Sequence, residues 1–382
     1  MIESLFIFSA ALLVYIYAGY PALVFLLSKT ARDESTRQEY QPDVSILISA
    51  YNEEQYIRET IINKLEQNYP AGKIEVIVIS DSSTDATDQI VEELSKDNDC
   101  LTLIRQSPRQ GKTSALNMAI KKASGEIIVF ADANSIYDSH AVHELVKNFS
   151  DPDTGYVTGK MIYSNSDGSV TGDGCTTYMR YENFIRTCES KLGSLVGVDG
   201  GIDAMRKELH DTLNADQLPD FVQPLKVVEK GFRVIYEPRA ILREEALSDH
   251  NSEFLMRIRV TLRALWALRD MRQLLNPLRF PLFSFQLLSH KLLRYLAWLP
   301  LIFVLLANFL LLDHGVAYWF LLCLQILFYT AAATAFILRA QPGLPVFLSV
   351  PFYFTLINLA AAIAFLRFAM GHKTVVWTPR TG

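Results

Sequence analysis

The chain has 382 residues, 50% of them hydrophobic and 20% charged, with a formal net charge of −5. That balance is too apolar for an ordinary soluble enzyme and too charged for a bundle of membrane helices alone, and it gives no support to nucleic-acid binding. A hybrid of membrane segments and a polar domain is expected. The four cysteines, Cys100, Cys175, Cys188 and Cys323, show neither metal-ligand spacing nor a disulfide framework and are expected to be reduced packing residues.

Leu5 to Leu27 carries no charged side chain. At about 1.5 Å rise per residue it is long enough to cross a hydrocarbon core of about 30 Å. The start Met1-Ile2-Glu3-Ser4 lacks the basic region of a cleaved signal peptide. Lys29, Arg32 and Arg37 follow the apolar run and no basic residue precedes it, so residues 1–40 read as a transmembrane helix with a basic cytoplasmic linker.

Residues 41–250 alternate between strand and helix patterns. Val44–Ser49, Ile74–Ser80, Leu101–Arg105 and Ile127–Ala131 are short apolar runs rich in branched residues, as buried parallel strands require. Helix signals follow: Asn52 as a cap for a helix through Asn68, Thr84 or Asp85 for one through Lys96, and Thr113 opening one through Ala123. Such repetition builds a doubly wound α/β sheet whose ligand site lies beyond the carboxyl ends of the strands.

The loops at those ends are polar: Ala50-Tyr51-Asn52-Glu53-Glu54, Asp81-Ser82-Ser83-Thr84-Asp85 and Ala131-Asp132-Ala133-Asn134. Taken singly, Asp81 and Asp85 read equally as helix caps or as acceptors for a base edge or ribose hydroxyl. Asp132 emerges where a divalent cation would bridge it to a diphosphate. Gly111-Lys112-Thr113 has the ending of a phosphate-binding P-loop, but Gln106 stands where that motif needs glycine, so Arg109 and Lys112 are read instead as cations near donor phosphates.

Residues 251–294 hold a basic amphipathic helix, Ser252–Gln273 with Arg257, Arg259, Arg263, Arg269 and Arg272, and then a stretch suited to lying in the membrane interface. Residues 295–382 contain three apolar spans, Tyr295–Leu312, Val316–Leu338 and Val346–Leu366, and a tail. Three full crossings would leave Arg367, Lys373 and Arg380 outside, against the charge rule, so one of these spans is expected to be re-entrant or shallow.

The run Val44–Glu54, then Ser80–Asp85, then Gly111-Lys112 with Ala115-Leu116-Asn117, resembles family 2 glycosyltransferases of the GT-A fold, including chitin-oligosaccharide, hyaluronan and poly-N-acetylglucosamine synthases. The resemblance implies a GT-A doubly wound mixed sheet, Rossmann-like, flanked by transmembrane α-helices. It places Ala50, Tyr51, Glu53, Asp81, Arg109, Lys112, Asp132, Arg257 and Arg259 at the donor, with Asp81 reading the base. Asp132 matches the first carboxylate of the family's DxD motif, and Asn134 stands at the second, as ligands for Mg2+ or Mn2+. Gly197–Arg206 resembles the segment against which acceptors lie, which gives Asp199, Gly200 and Gly201 to the acceptor. Leu218-Pro219-Asp220-Phe221 resembles the acidic motif that supplies the catalytic base, here Asp220. Of the Q-x-x-R-W motif of processive relatives, the matching residues are Met256, Arg259 and Val260, and only the arginine is kept.

By that resemblance the chain is an inverting hexosyltransferase. It would move a sugar from a nucleotide-sugar, a UDP-sugar, to a membrane-proximal glycan or lipid acceptor in cell-envelope polysaccharide synthesis. The setting is multi-pass in the inner or plasma membrane, with the catalytic domain cytoplasmic; the bilayer and accessory secretion subunits are the expected partners and nucleic acid is not. The alternatives are a non-catalytic membrane subunit with a degenerate nucleotide-binding domain, or single-sugar transfer to a lipid carrier.

Overall fold

The structure, a computed structural model, describes residues 1–31, 39–164, 170–245, 249–339, 341 and 343–374. Arg32, Arg37 and Arg380 lie outside the described residues. Helix α1 (Ile2–Ser28) takes in the whole apolar run expected near the N-terminus.

The next segments form strands β1 (Val44–Ala50), β2 (Ile74–Ser80), β3 (Leu101–Arg105) and β4 (Ile127–Asp132), paired in parallel in the order β3-β2-β1-β4. β1 is buried throughout because helices cover both faces. Leu47 joins a cluster with Ala115 and Leu116 of helix α4 (Lys112–Lys122), while Ile46 and Ile48 join one with Ile57 and Ile61 of helix α2 (Ile57–Leu65). Asn52 does not cap α2. Its φ is 54° and its side-chain oxygen accepts from the Thr84 N–H at 2.8 Å, which ties two loops together, and the helix starts five residues later. Asp85 precedes the capping residue, Ala86, and its Oδ1 accepts from the Thr87 N–H at 3.0 Å where helix α3 (Thr87–Ser95) begins.

Beyond β4 the sheet changes character. Strands β5 (Ile136–Tyr137), β6 (Thr154–Ser164), β7 (Ile202–Arg206) and β8 (Arg233–Glu245) continue it in the order β4-β7-β6-β8-β5. β7 is antiparallel to both β4 and β6, β8 is parallel to β6, and β5 is antiparallel to β8. Helices α5 (Ala141–Val146), α6 (Val170–Leu192) and α7 (Pro219–Glu229) lie between these strands in sequence.

The apolar helices sort by what they touch. Helix α8 (His250–Asp270) is followed by α9 (Pro281–Tyr295) and α10 (Trp298–Leu310), bent by 58°, then α11 (Val316–Ile337) and α12 (Val346–Ala369). Among the described residues α1, α11 and α12 are long and apolar enough to cross a membrane, and α9 with α10 makes a fourth if the bent pair is one span. The pair runs antiparallel to α1: Tyr15 bonds Ser289 at 2.7 Å, while Phe6 packs with Ala307 and Leu311. α11 starts beside Glu3, through Tyr318 at 2.9 Å, and ends beside the first turn of α8, where Phe336 meets His250.

α12 behaves differently. It follows α8 along its length, with Phe352 and Leu356 packed by Phe254, Ala360 and Ala364 by Ile258 and Leu262, and Phe368 edge-on to Trp266. After it the chain turns back, and Trp266 Nε1 donates to the His372 carbonyl at 2.9 Å. α8 therefore does not lie alone on a membrane surface. One side meets α12, and Ala264, Ala267 and Leu268 share a buried cluster with Leu47 and Phe130 of the sheet. Of the four free cysteines only Cys175 and Cys188 are buried; Cys100 and Cys323 are exposed, against the expectation that all four pack.

Candidate active site

The carboxyl ends of β1, β2 and β4 and the start of α4 meet at one edge of the sheet. Asp81, at the end of β2, is buried, and its carboxylate accepts from the backbone N–H groups of Gln110 and Gly111, both at 2.9 Å, and from Gln106 Nε2 at 2.5 Å. It thereby shapes the whole 106–111 loop. Arg109 lies flat on the Tyr51 ring, 3.4 Å from its centre, with Nε 3.6 Å from Asp81. Ala50 is buried at the strand end, its carbonyl accepting from the Asp81 N–H, and the Glu53 N–H donates to Thr87 Oγ1 at 2.8 Å. Six of the donor residues expected from sequence, Ala50, Tyr51, Glu53, Asp81, Arg109 and Lys112, thus belong to connected loops.

Lys112, the first residue of α4, links this edge to the second half of the sheet. Its Nζ is 2.7 Å from Asp132 Oδ1 at the end of β4 and 3.7 Å from Asp220 Oδ2 in the first turn of α7. Burial alone would lower its pKa, but Asp132 and Asp220 raise it above the usual lysine value and it stays charged. Burial pushes the Asp220 carboxyl up, Lys112 opposes this and Asp132 adds to it, so the net shift is upward.

Gly200 is glycine because the Asp220 carboxyl occupies the space a side chain would need, and at Gly201 that space is taken by Leu242, 2.8 Å from where a Cβ would lie. A Cβ on Gly200, whose φ is +85°, would lie 2.7 Å from both Cγ and Oδ2 of Asp220; one on Gly201 would lie 3.5 Å from Asp132 Oδ2. The glycine segment closes over the two acids.

Two expected residues, Asp199 and Arg257, are placed differently. Asp199 was expected at an acceptor, but its side chain is 3% exposed, ion-paired with Arg186, and accepts from the Met161 N–H at 3.3 Å. Arg257 was expected at the donor, yet it turns into the junction of α6, α8 and α12, held by Glu253 at 2.7 Å and Tyr353 Oη at 2.7 Å. A guanidinium taken out of water needs a counter-charge, and Glu253 one turn earlier supplies it. Arg259 stays half-buried beside Arg263, with no hydrogen bond or ion pair to another of the described residues, and burial lowers its pKa.

Sequence reading gives Arg263 and Lys64 no place in the site, and Asp203 stands in it only behind Asp220, with Asp216, as a candidate base. Arg263 donates to the carbonyls of Gln217 and Asp216 and to Thr113 Oγ1, fixing the turn before α7. Asp203 is buried on β7, flanked in sequence by Ile202 and Ala204, and an acid inside an apolar strand was the available signal. Lys64 is buried under the turn after β4, donating to the Ser135 carbonyl at 2.6 Å and lying 3.7 Å from the centre of the Tyr137 ring.

A divalent cation fits this edge through oxygen donors alone. Asp132 keeps 34% of its side chain exposed and engages Lys112 through Oδ1, while Asn134, two residues on, is half-buried. Among the described residues no group of three or more His, Cys, Asp or Glu side chains could hold a metal. Asp132 and Asn134 would therefore form a half-site completed by phosphate oxygens and water, which suits Mg2+ or Mn2+.

A parallel half-sheet with carboxylates at its switch point, extended by an antiparallel strand, is a GT-A-like mixed α/β sheet, here set beside helices long and apolar enough to cross a membrane. Residues 45–214 match the family model for Glycosyl transferase family 2. The chain is similar to a poly-beta-1,6-N-acetyl-D-glucosamine synthase of Staphylococcus aureus (strain COL), 29% identical over 203 residues that cover 52% of this chain and 48% of that protein. It is also similar to a Bacillus subtilis (strain 168) protein named "Probable glycosyltransferase YdaM", 36% identical over 217 residues that cover 53% of this chain and 51% of that one. The chain spans about half the length of the curated relatives it matches. A solved mannosyltransferase from Pyrobaculum calidifontis, in complex with GDP-Man and Mn2+, shares the fold over 97% of this chain and 99% of that one, with a TM-score of 0.73 and 23% identity.

Proposed function

We propose that the chain transfers a sugar, with inversion, from a UDP-sugar to a glycan or lipid-linked acceptor at the bilayer, in cell-envelope polysaccharide synthesis. The observation that carries this is the Lys112 bridge, which puts a donor-side carboxylate, Asp132, and an acceptor-side carboxylate, Asp220, on one ammonium. Asp220 takes the proton of the acceptor hydroxyl as that oxygen bonds to the anomeric carbon, and the bond from that carbon to the diphosphate breaks. Lys112 and Arg259 face the negative charge that leaves. Asp132 and Asn134 would hold Mg2+ or Mn2+, which would supply the positive charge that a diphosphate leaving group needs. The likeness to a poly-beta-1,6-N-acetyl-D-glucosamine synthase supports an N-acetylhexosamine as the first sugar to test. No observation favours a non-catalytic subunit.

In this reading α1, the α9–α10 pair and α11 cross the inner or plasma membrane and α12 lies along the interface beside α8, so that the catalytic domain and the segment after α12 are both cytoplasmic. The return of His372 to Trp266 supports it, as does Lys29 just after α1. Two experiments test the proposal. Mass spectrometry of products made from a panel of UDP- and GDP-sugars should find one transferred product, lost in chelator and restored by Mg2+ or Mn2+; no product from any donor would overturn it. On a Cys100→Ser, Cys323→Ser background, an impermeant thiol reagent should label Asp313→Cys in intact cells and label Gln341→Cys and Thr374→Cys only after lysis. Labelling of Thr374→Cys before lysis would mean that α12 crosses.

A further inference from the structure

Asp203 has no part in the transfer described above, yet it sits directly behind the base. Its Oδ2 accepts from the Gly200 N–H at 3.1 Å and from Tyr156 Oη at 2.9 Å, and a Cβ on that same Gly200 would lie 2.7 Å from the Asp220 carboxyl. The position is fully buried. Among the described residues its Oδ1 makes no well-formed hydrogen bond and has only the Thr158 hydroxyl near it, so the site holds an acid that an amide or an apolar side chain would replace with less loss of solvation. A buried acid kept with one oxygen poorly bonded, one backbone group away from a reacting carboxylate, calls for a role of its own.

We propose that Asp203 is a positioning residue for the Asp220 base: it holds the Gly200 backbone against the Asp220 carboxyl and, by its own charge, sets how strongly Asp220 takes a proton. This rests on the reading of Asp220 as the base. The groups that face Asp203 are Tyr156 and Thr158 of β6, Asp199 of the glycine segment, Asp220 of α7, and at longer range Lys112 of α4 and Tyr137 of β5. Burial raises its pKa to about 7; the Asp220 and Asp199 charges push the same way, and the Thr158 and Tyr156 hydroxyls oppose. The two acids therefore titrate as a pair, with a step near neutrality that belongs mainly to Asp203.

The sign follows. When Asp203 loses its proton, the added negative charge raises the proton affinity of Asp220 and makes it a stronger base. In the unmodified protein kcat should climb twice with pH, first as Asp220 ionises and again near pH 7. Asp203→Asn keeps the shape and an acceptor oxygen for the Gly200 N–H, so the upper step should vanish, leaving kcat roughly three- to tenfold lower at pH 8 with nucleotide affinity unchanged. Tyr156→Phe removes a hydroxyl that favours the charged form, so the upper step should survive and move to higher pH.

The experiment is a pH series of sugar transfer from the donor that gives product, run beside calorimetric titration with UDP and an infrared titration of buried carboxyl bands in nanodiscs. The infrared band titrating near 7 should be absent in Asp203→Asn and shifted upward in Tyr156→Phe, whether or not the variants are active. An unchanged pH profile in Asp203→Asn, or an unmoved step in Tyr156→Phe, would overturn the inference, as would loss of UDP binding in a folded Asp203→Asn protein. Asp220→Asn in the same series separates the two readings. If it transfers at the unmodified rate, the base assignment fails; if it is slow while Asp203→Asn is unchanged, only this inference fails.

Discussion

The two halves of the sheet treat their acids in opposite ways. In the parallel half the carboxylates are surrounded by donors. Asp81 accepts from two backbone N–H groups and an amide, Glu54 from the Ala86 N–H, and Asp85 from the N–H groups of Glu54 and Thr87 and the Thr87 hydroxyl. Burial pushes Asp85 up, but those hydrogen bonds outweigh it and hold the carboxyl below its usual value. In the mixed half two acids have few donors, Asp203 buried and Asp220 half-buried, and both are shifted upward. Charged, satisfied groups organise a rigid binding surface; under-satisfied acids with raised pKa exchange protons. On the proposed function, binding and chemistry would thus divide along the line between β4 and β7.

The strongest test of that division is Asp220→Asn. The amide keeps size and most hydrogen bonding but cannot accept the proton, so transfer should fall by about 10²–10⁴-fold while the UDP dissociation constant stays within error. Radiolabelled transfer and calorimetry on one preparation measure both. Loss of binding and transfer together would place Asp220 in the donor pocket and erase the division.

Asp81→Ala should do the reverse, on a smaller scale. It leaves the N–H groups of Gln110 and Gly111 without their acceptor and frees the loop that carries Arg109, so nucleotide affinity should fall by roughly 10- to 100-fold, the equivalent of one or two charge-assisted hydrogen bonds. At saturating donor kcat should change little. A fall in kcat with unchanged affinity would show that the parallel half takes part in the chemical step.

How legible each half was in the sequence follows from the same physics. Parallel strands buried on both faces are continuous branched apolar runs, and their ends are found within a residue: β2 and β3 coincide with the expected runs, and β1 and β4 each extend one residue further. Helix starts were harder. Asn52 has the chemistry of a cap, but its side chain is spent on Thr84 in the neighbouring loop, a partner that sequence proximity does not reveal. In the mixed half the motif residues were visible but their partners were not. Asp199 and Asp203 sit in one run, yet the first is neutralised by Arg186 from α6 and the second faces Gly200 and Tyr156. Which of the apolar spans departs from the rest was equally hidden, since α11 and α12 have hydropathies of 2.0 and 1.9 and differ only in what packs on them.

The last prediction asks whether donor-binding charge extends past the sheet onto α8, where Arg257 and Arg259 differ by two positions and so point to different sides of the helix. Arg257 is bound to Glu253 and Tyr353. Its guanidinium is consumed by the junction with α12, and Arg257→Gln should lower the unfolding temperature, because it leaves Glu253 buried without a counter-charge, while UDP affinity holds. Arg259 has no such neighbour among the described residues and lies beside Arg263, whose guanidinium fixes the turn before Asp220. Two like charges held close are stabilised by an anion, and in the proposed reaction the donor diphosphate is that anion. Arg259→Gln should therefore weaken UDP by roughly tenfold, about 1.4 kcal/mol, and flatten the salt dependence of binding without lowering the unfolding temperature. Calorimetric titration at two ionic strengths and a thermal melt of each variant decide it. If Arg257→Gln weakens UDP and Arg259→Gln does not, the face of α8 toward the donor has been assigned to the wrong arginine, and the diphosphate lies nearer α12 than the parallel half of the sheet.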